Sequence, residues 1–217
     1  SAGDADPTAP QFGPAAERRF TLRSASLSNL AKLSPQWSLS GALSVTERAP
    51  TSFELFANGA HAATAAYERG DPSLQPERGT QLDVALQWKE ADSELRLGAY
   101  AARFDRFISL EASGRSIDLP GEDGGIESLP EYVFRPVRAR LWGAEIEGRH
   151  RLRAGTWAFV LSGKLDLARA TNADTGQPLP RIAPLRTMLA LEAQHGLWTA
   201  RAEVDHAARQ SRVPAGD

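Results

Sequence analysis

The sequence predicts an all-β fold, an antiparallel up-and-down meander of about eight strands. Three observations predict it. Apolar residues recur at every second position, charges within those runs keep to the opposite face, and the connections between runs alternate between short and long.

The runs follow in order. Phe20, Leu22 and Ser24 alternate with Thr21, Arg23 and Ala25, and a turn at residues 33–36 leads to Trp37, Leu39, Gly41, Leu43 and Val45, opposed by small or hydroxylated residues. A long polar excursion fills most of residues 47–86 and returns into Leu82, Val84, Leu86 and Trp88, which alternate with Asp83, Ala85, Gln87 and Lys89. A turn at residues 89–93 opens a long strand with less cleanly divided faces. Residues 111–131 then read as a Gly-rich loop carrying six acids against the single Arg115. Trp142, Ala144, Ile146 and Gly148 face away from Gly143, Glu145, Glu147 and Arg149 in the next run. A short turn leads to Trp157, Phe159, Leu161, Leu165 and Leu167, interleaved with Lys164 and Asp166. The loop at residues 170–184 precedes Leu185, Thr187, Leu189 and Leu191, and the turn at His195 and Gly196 precedes Trp198, Ala200, Ala202 and Val204.

In such a meander all the short turns lie at one end of the sheet and all the long loops at the other. That asymmetry, with strands of roughly ten residues or more, is the pattern of a transmembrane barrel. Trp37, Trp88, Trp157 and Trp198 stand at the short-turn ends, where an interfacial girdle belongs, and Trp142 lies apart. The alternative is a soluble antiparallel sandwich, whose strands average ~5–6 residues. Mid-strand charges at Asp83, Lys89, Glu145, Glu147, Arg149, Lys164, Asp166, Arg201, Glu203 and Asp205 fit either a wet lumen or a solvated outer face.

Composition narrows the function classes. Net charge is −2 with pI near 6.1, so no bulk field points to nucleic acid. The chain has no cysteine, which excludes a disulfide framework, a thiolate metal site and a cysteine nucleophile. No apolar run approaches the ~20 residues of a membrane helix. A mean hydropathy of −0.37 suits a barrel as well as a soluble protein, because only alternate residues meet lipid. The Pro/Ala/Gly-rich opening, residues 1–19, has loop composition, and a piece of a longer protein is expected. No linker or internal repeat divides it.

Nucleophile elbows, Walker loops, Rossmann glycines and His-Glu-x-x-His are absent. The acidic glycine stretch 121–125 has no helix pattern after it and so offers phosphate no positive end. Asp166 with Glu145 and Glu147 reads as ion pairing rather than as an acid/base pair. Of His61, His150, His195 and His206, only His61 lies in the long loop, with Glu54, Glu68 and Asp71 near it in sequence. Imidazole and carboxylate donors suit a borderline cation such as Zn²⁺, though the spacing matches no known ligand pattern and a solvated loop histidine is the plainer reading.

Five stretches carry a family resemblance: residues 47–61 (ERAPTSFELFANGAH), 68–77 (ERGDPSLQPE), 104–110 (FDRFISL), 139–152 (ARLWGAEIEGRHRL) and the hairpin from Leu179-Pro180-Arg181-Ile182 onward, with Ala183 where proline is common. In this order, and covering most of the chain, they resemble TonB-dependent outer-membrane receptors. The resemblance implies a section of a large transmembrane β-barrel of ~22 strands around an N-terminal plug. Plug, TonB box and terminal strands lie outside residues 1–217, which are therefore expected to be a partial barrel.

It further implies an outer-membrane location, contact with lipid, coupling to the TonB complex through the plug, and energised uptake of a small scarce nutrient. No enzymatic activity, nucleic-acid partner or resident cofactor is implied. The wording at Asn58–His61 and the acidic loops resemble members handling metals, as zinc or an iron complex. His61, Glu68 and Asp71 are the expected ligand-contacting residues, with His61 the expected metal ligand. The rival readings are an outer-membrane barrel enzyme, which would need a Ser/His or Asp/His set at the rim, and a soluble β-sandwich binding module.

Overall fold

The computed structural model describes Phe12 and residues 16–61, 64–120 and 125–214. Eight strands follow one another across a single sheet: β1 (Ala25–Lys32), β2 (Trp37–Arg48), β5 (Glu77–Glu90), β6 (Ser93–Pro120), β7 (Ile126–Ala154), β8 (Trp157–Asn172), β9 (Arg186–His195) and β10 (Trp198–Ala207). Every consecutive pair on this path is antiparallel, as the alternation predicts. The long excursion between β2 and β5 holds a short helix α1 (Ser52–Phe56) and a small hairpin, β3 (Asn58–His61) with β4 (Ala66–Arg69).

The register gathers the apolar side chains onto one face. Leu27, Leu43 and Leu82 line up across three strands, as do Leu39, Leu86, Leu97, Ile146 and Leu165 across five. Leu43, Leu82, Leu161, Leu189 and Val204 are each at least half exposed, and among the described residues no second layer covers them. A sandwich would bury that face against a second sheet, and an apolar patch of this extent is foreign to a water-soluble surface. No helix is long and apolar enough to cross a membrane, which says nothing of crossing by strands. The tryptophans at the short-turn ends form two groups, each in register within itself. Trp37 is in register with Trp88, their rings 6.4 Å apart, and Trp157 stacks on His195 at 4.6 Å, with Trp198 opposite the same histidine.

The opposite face is polar and internally neutralised. Arg96 reaches Glu145 at 3.0 Å, Lys164 lies 3.6 Å from Asp166, Arg186 pairs with Asp205, and Arg201 with Glu203 at 2.5 Å. Two of these pairs cross between neighbouring strands and two lie within one strand, and the candidate carboxylates Glu145 and Asp166 each have a cation beside them.

Two expectations need correction. The first strand does not begin at Phe20. Residues 16–24 lie outside any ladder, because the Arg23 N–H goes to a Glu47 carboxylate oxygen and the Glu47 N–H to Ser24 Oγ, side-chain bonds replacing backbone ones. Residues 111–131 are not mainly a loop. β6 and β7 run on as a two-stranded hairpin, with Ser116 opposite Pro130 and Pro120 opposite Ile126. In β7 this extension buries Leu129, Glu131 and Val133, a set that mixes a carboxylate with apolar residues, so the period-two signal is lost. Register shifts between Phe104 and Phe107 and between Ala112 and Ser116 break the pattern further, and Gly114 supplies the left-handed backbone (φ 77°) at the second. Of the acidic glycine stretch, residues 121–124 lie outside the described residues.

The buried core is small and sits at the long-loop end. Leu55, Leu74 and Ile108 pack with Phe20, Phe56 and Phe134, and Ala139, Ala170 and Leu179 pack with Phe104, Phe107 and Ile182. Loops, rather than a second sheet, are held by hydrophobic contact here.

Candidate ligand-binding site

The long loop is anchored at its root by one arginine. Arg48, the last residue of β2, donates to both Glu54 carboxylate oxygens at 2.9 and 3.1 Å and to both oxygens of the buried Glu77 at 3.1 and 3.4 Å. Glu77 also takes the Ile108 N–H at 3.0 Å, a donor that lies just past the register shift in β6. Thr51 and Glu54 form a capping box on α1, Glu54 N–H to Thr51 Oγ1 at 3.2 Å and Thr51 N–H to Glu54 at 2.7 Å. Burial works against the Glu54 charge, but the Arg48 and Thr51 donors outweigh it and hold its pKa below the ordinary value of 4.5. This network explains the wording Glu-Arg-x-Pro-Thr-x-x-Glu.

The loop then turns back on itself. Gly70 N–H bonds Ala57 O at 2.7 Å and Asp71 N–H bonds Glu54 O at 3.0 Å. A Cβ on Gly70 would stand 2.6 Å from backbone atoms of Leu55 and Phe56, so only glycine allows this approach. β4 pairs in parallel with β7, Glu68 opposite Tyr132, which ties the loop to the outward hairpin. Beneath that seam the fully buried Glu131 side chain meets Arg69 at 3.1 Å, Arg115 at 2.9 Å and Ser113 Oγ at 2.8 Å. Burial opposes its ionisation, and Ser113, Arg115 and Arg69 together still hold it on the low side of the carboxylate range.

The tip of the β3–β4 hairpin brings His61 and Glu68 together. His61 Nδ1 is 3.1 Å from Thr64 Oγ1, which is 3.0 Å from Glu68 Oε1, and the direct His61–Glu68 distance is 3.6 Å. One hydroxyl has one proton. The Thr64 N–H already serves the His61 carbonyl at 3.1 Å, so the Thr64 hydroxyl is best spent on the Glu68 carboxylate, the stronger acceptor. Thr64 Oγ1 must then accept from His61 Nδ1–H, which leaves Nε2 with a free lone pair, the arrangement a metal ligand needs. Phe53 holds the imidazole by an edge contact at 6.0 Å and is itself braced against Phe134 at 5.7 Å.

Asp71 is placed differently. Its Oδ1 accepts from the Ser73 N–H at 2.8 Å and the Ser73 hydroxyl at 2.6 Å, closing a turn, and no bond links it to His61 or Glu68. Among the described residues no three His, Asp or Glu side chains converge as a metal-binding group. Of the three expected residues the hairpin brings together two, His61 and Glu68, with Glu68 on the Nδ1 side of the ring.

Sequence reasoning missed two residues at this tip. Thr64, the relay between His61 and Glu68, carries no signal of its own. Arg181, from the loop between β8 and β9, lines a cavity of about 230 Å³ together with Thr64, Glu68 and Tyr132. Its stretch carried part of the family resemblance but pointed to no ligand role.

A family profile described as "TonB dependent receptor-like, beta-barrel" matches residues 4–217. Similar solved structures include the copper transporter OprC, at 24% identity and TM-score 0.69 over 88% of this chain. The ferric enterobactin receptor PfeA from Pseudomonas aeruginosa aligns at 17% identity and TM-score 0.58 over 84%. The siderophore receptor PirA from Acinetobacter baumannii aligns at 16% and 0.50 over 81%. The chain spans about a quarter of these proteins, 27% of OprC and of PfeA and 26% of PirA. At these identities the structural likeness speaks for the fold alone. The family is one of transport receptors rather than enzymes. With the profile matched along nearly its whole length, the chain belongs to the TonB-dependent receptor-like β-barrel family.

Proposed function

We propose that the chain is a section of an outer-membrane receptor that takes up a metal ion or metal chelate with TonB-derived energy. It sits in lipid by its apolar face and couples to the TonB complex through a plug domain outside this sequence. The observation that carries the metal reading is the His61–Thr64–Glu68 relay, which orients an imidazole with one nitrogen open at the outer end of the sheet. The names of OprC, a copper transporter, and of PfeA and PirA, siderophore receptors, support the same direction. In this reading His61 and Glu68 contact the cargo. Asp71 offers the carboxylate oxygen its own turn leaves open. The remaining ligands come from the cargo or from the plug.

The test is uptake. In a Gram-negative host carrying the full-length receptor, accumulation of radioactive zinc at limiting concentration is expected to need both the receptor and TonB. Equal accumulation with and without TonB, or with and without the receptor, for zinc and for chelated iron and copper alike, would contradict the proposal.

A further inference from the structure

The two ends of the apolar face differ in chemistry. At the short-turn end it closes with Trp37, Trp88, Trp157 and Trp198. At the long-loop end it closes with arginines. One row of the register there runs Val45, Thr80, Arg103, Arg140, so two guanidinium side chains stand directly opposite each other on β6 and β7. Two residues inward the row is Leu43, Leu82, Ala101, Trp142, Arg169. Ala101 is the small member of that row, and it leaves a cleft of about 700 Å³ between the half-exposed Leu82 and Trp142, with Arg103, Arg140 and Asp105 also in its lining.

Like charges directly opposite each other repel, and the next row outward does not repeat the pattern: there Arg78 stands opposite Glu47, and Arg138 is bonded to Asp174 at 2.5 Å. Among the described residues the one acid ion-paired to any of Arg103, Arg140 and Arg169 is Asp105, 3.7 Å from Arg103. The three arginines therefore keep two positive charges in excess. Depth decides what meets them. The Arg103–Arg140 row lies eight residues along the strands from the row of Trp37 and Trp88. At ~3.3 Å per residue and a strand tilt of ~35–45°, that is about 20 Å of height. The apolar band of an outer-membrane barrel is ~25 Å tall, so these guanidiniums lie at the far headgroup boundary and not in open water.

We propose that the cleft holds a lipid whose headgroup carries a phosphate monoester, the phosphate on Arg103 and Arg140 and an acyl chain over Ala101 between Leu82 and Trp142. A phosphate monoester brings about −1.5 to −2 charges at neutral pH, which matches the excess, and guanidinium forks take its oxygens in pairs. A zwitterionic phosphodiester headgroup brings no net charge and leaves the excess in place. The proposal rests on the apolar face being lipid-facing and adds which lipid that face selects at its long-loop end. It is tested by calorimetry on the full-length receptor in detergent with three probes: dioleoylphosphatidic acid, dioleoylphosphatidylethanolamine and inorganic phosphate.

Wild type is expected to bind phosphatidic acid at least about tenfold more tightly than either other probe. Arg103→Gln combined with Arg140→Gln should weaken binding of phosphatidic acid by roughly ten- to a hundredfold and leave phosphatidylethanolamine unchanged. Both side chains are exposed, so the double variant keeps the fold, and its unchanged phosphatidylethanolamine binding verifies that. Equal affinity of wild type and variant for phosphatidic acid, or equal affinity of wild type for the two lipids, overturns the phosphate site and leaves the lipid-facing reading standing. Inorganic phosphate bound as tightly as phosphatidic acid overturns the lipid in favour of a free anion. A receptor that binds neither lipid and stays monomeric in water without detergent overturns the lipid-facing reading and this proposal with it.

Discussion

At the root of the long loop, Arg48 faces Glu54 and Glu77, and all four carboxylate oxygens have a donor. At its tip, Glu68 has one oxygen engaged, His61 one nitrogen, and Arg181 nothing among the described residues. Both regions of the loop set carboxylates near basic groups, Glu54 and Glu77 at the root and Glu68 at the tip. Saturated groups hold architecture, because each partner removed leaves a buried charge exposed to its full desolvation cost. Groups with open valence are kept in place by their neighbours and remain able to take a ligand. The difference separates two kinds of charge that the sequence alone presents identically.

The comparison breaks most sharply at Gly70, where the root closes. Gly70→Ala drives a Cβ into the backbone of Leu55 and Phe56 at 2.6 Å, and should destabilise the loop by about 3 kcal/mol. In the full-length receptor, rapid protease cleavage within residues 49–76 is the expected readout. Cleavage as slow as in wild type would show that α1 is not held through this contact.

A smaller, pH-dependent effect comes from Glu54. Because its folded pKa lies below the ordinary value, its stabilisation is fully present above that value and is lost as pH falls through the folded one. Protease resistance of the loop should therefore be flat between about pH 8 and 5 and decline only below about pH 4.5. Arg48→Met should remove this plateau, leaving the loop open to protease at neutral pH. A loop that instead opens between about pH 7 and 6 would place its control elsewhere than in these carboxylates.

The barrel wall was legible because an apolar face and a polar face impose a period of two from Trp37 to Val204. Where that contrast ends, legibility ends. The outward part of the β6–β7 hairpin buries a mixed set, Leu129, Glu131 and Val133, and reads as a loop, although its backbone is laddered on both sides of the bulge. At the site, His61 and Glu68 could be singled out as donors in one loop, but nothing in their spacing indicates that a hairpin sets them 3.6 Å apart. Asp71, equally near in sequence, lies past the hairpin and bonds within its own turn. Arg181 arrives from a distant connection, which the packing of Leu179 against Ala139 and Ala170 and the Leu179 N–H bond to Ala170 O at 3.1 Å bring over the polar face.

The central claim is that the tip of the loop, not its root, carries the ligand. It is tested most directly by calorimetric titration of Zn²⁺ into the full-length receptor, wild type against His61→Ala, with unfolding temperature measured on the same samples. The account predicts an affinity loss of about tenfold or more with the unfolding temperature unchanged, since His61 is part-exposed and its removal leaves the Arg48 network intact. An unchanged Zn²⁺ affinity would remove His61 from the site and contradict the account.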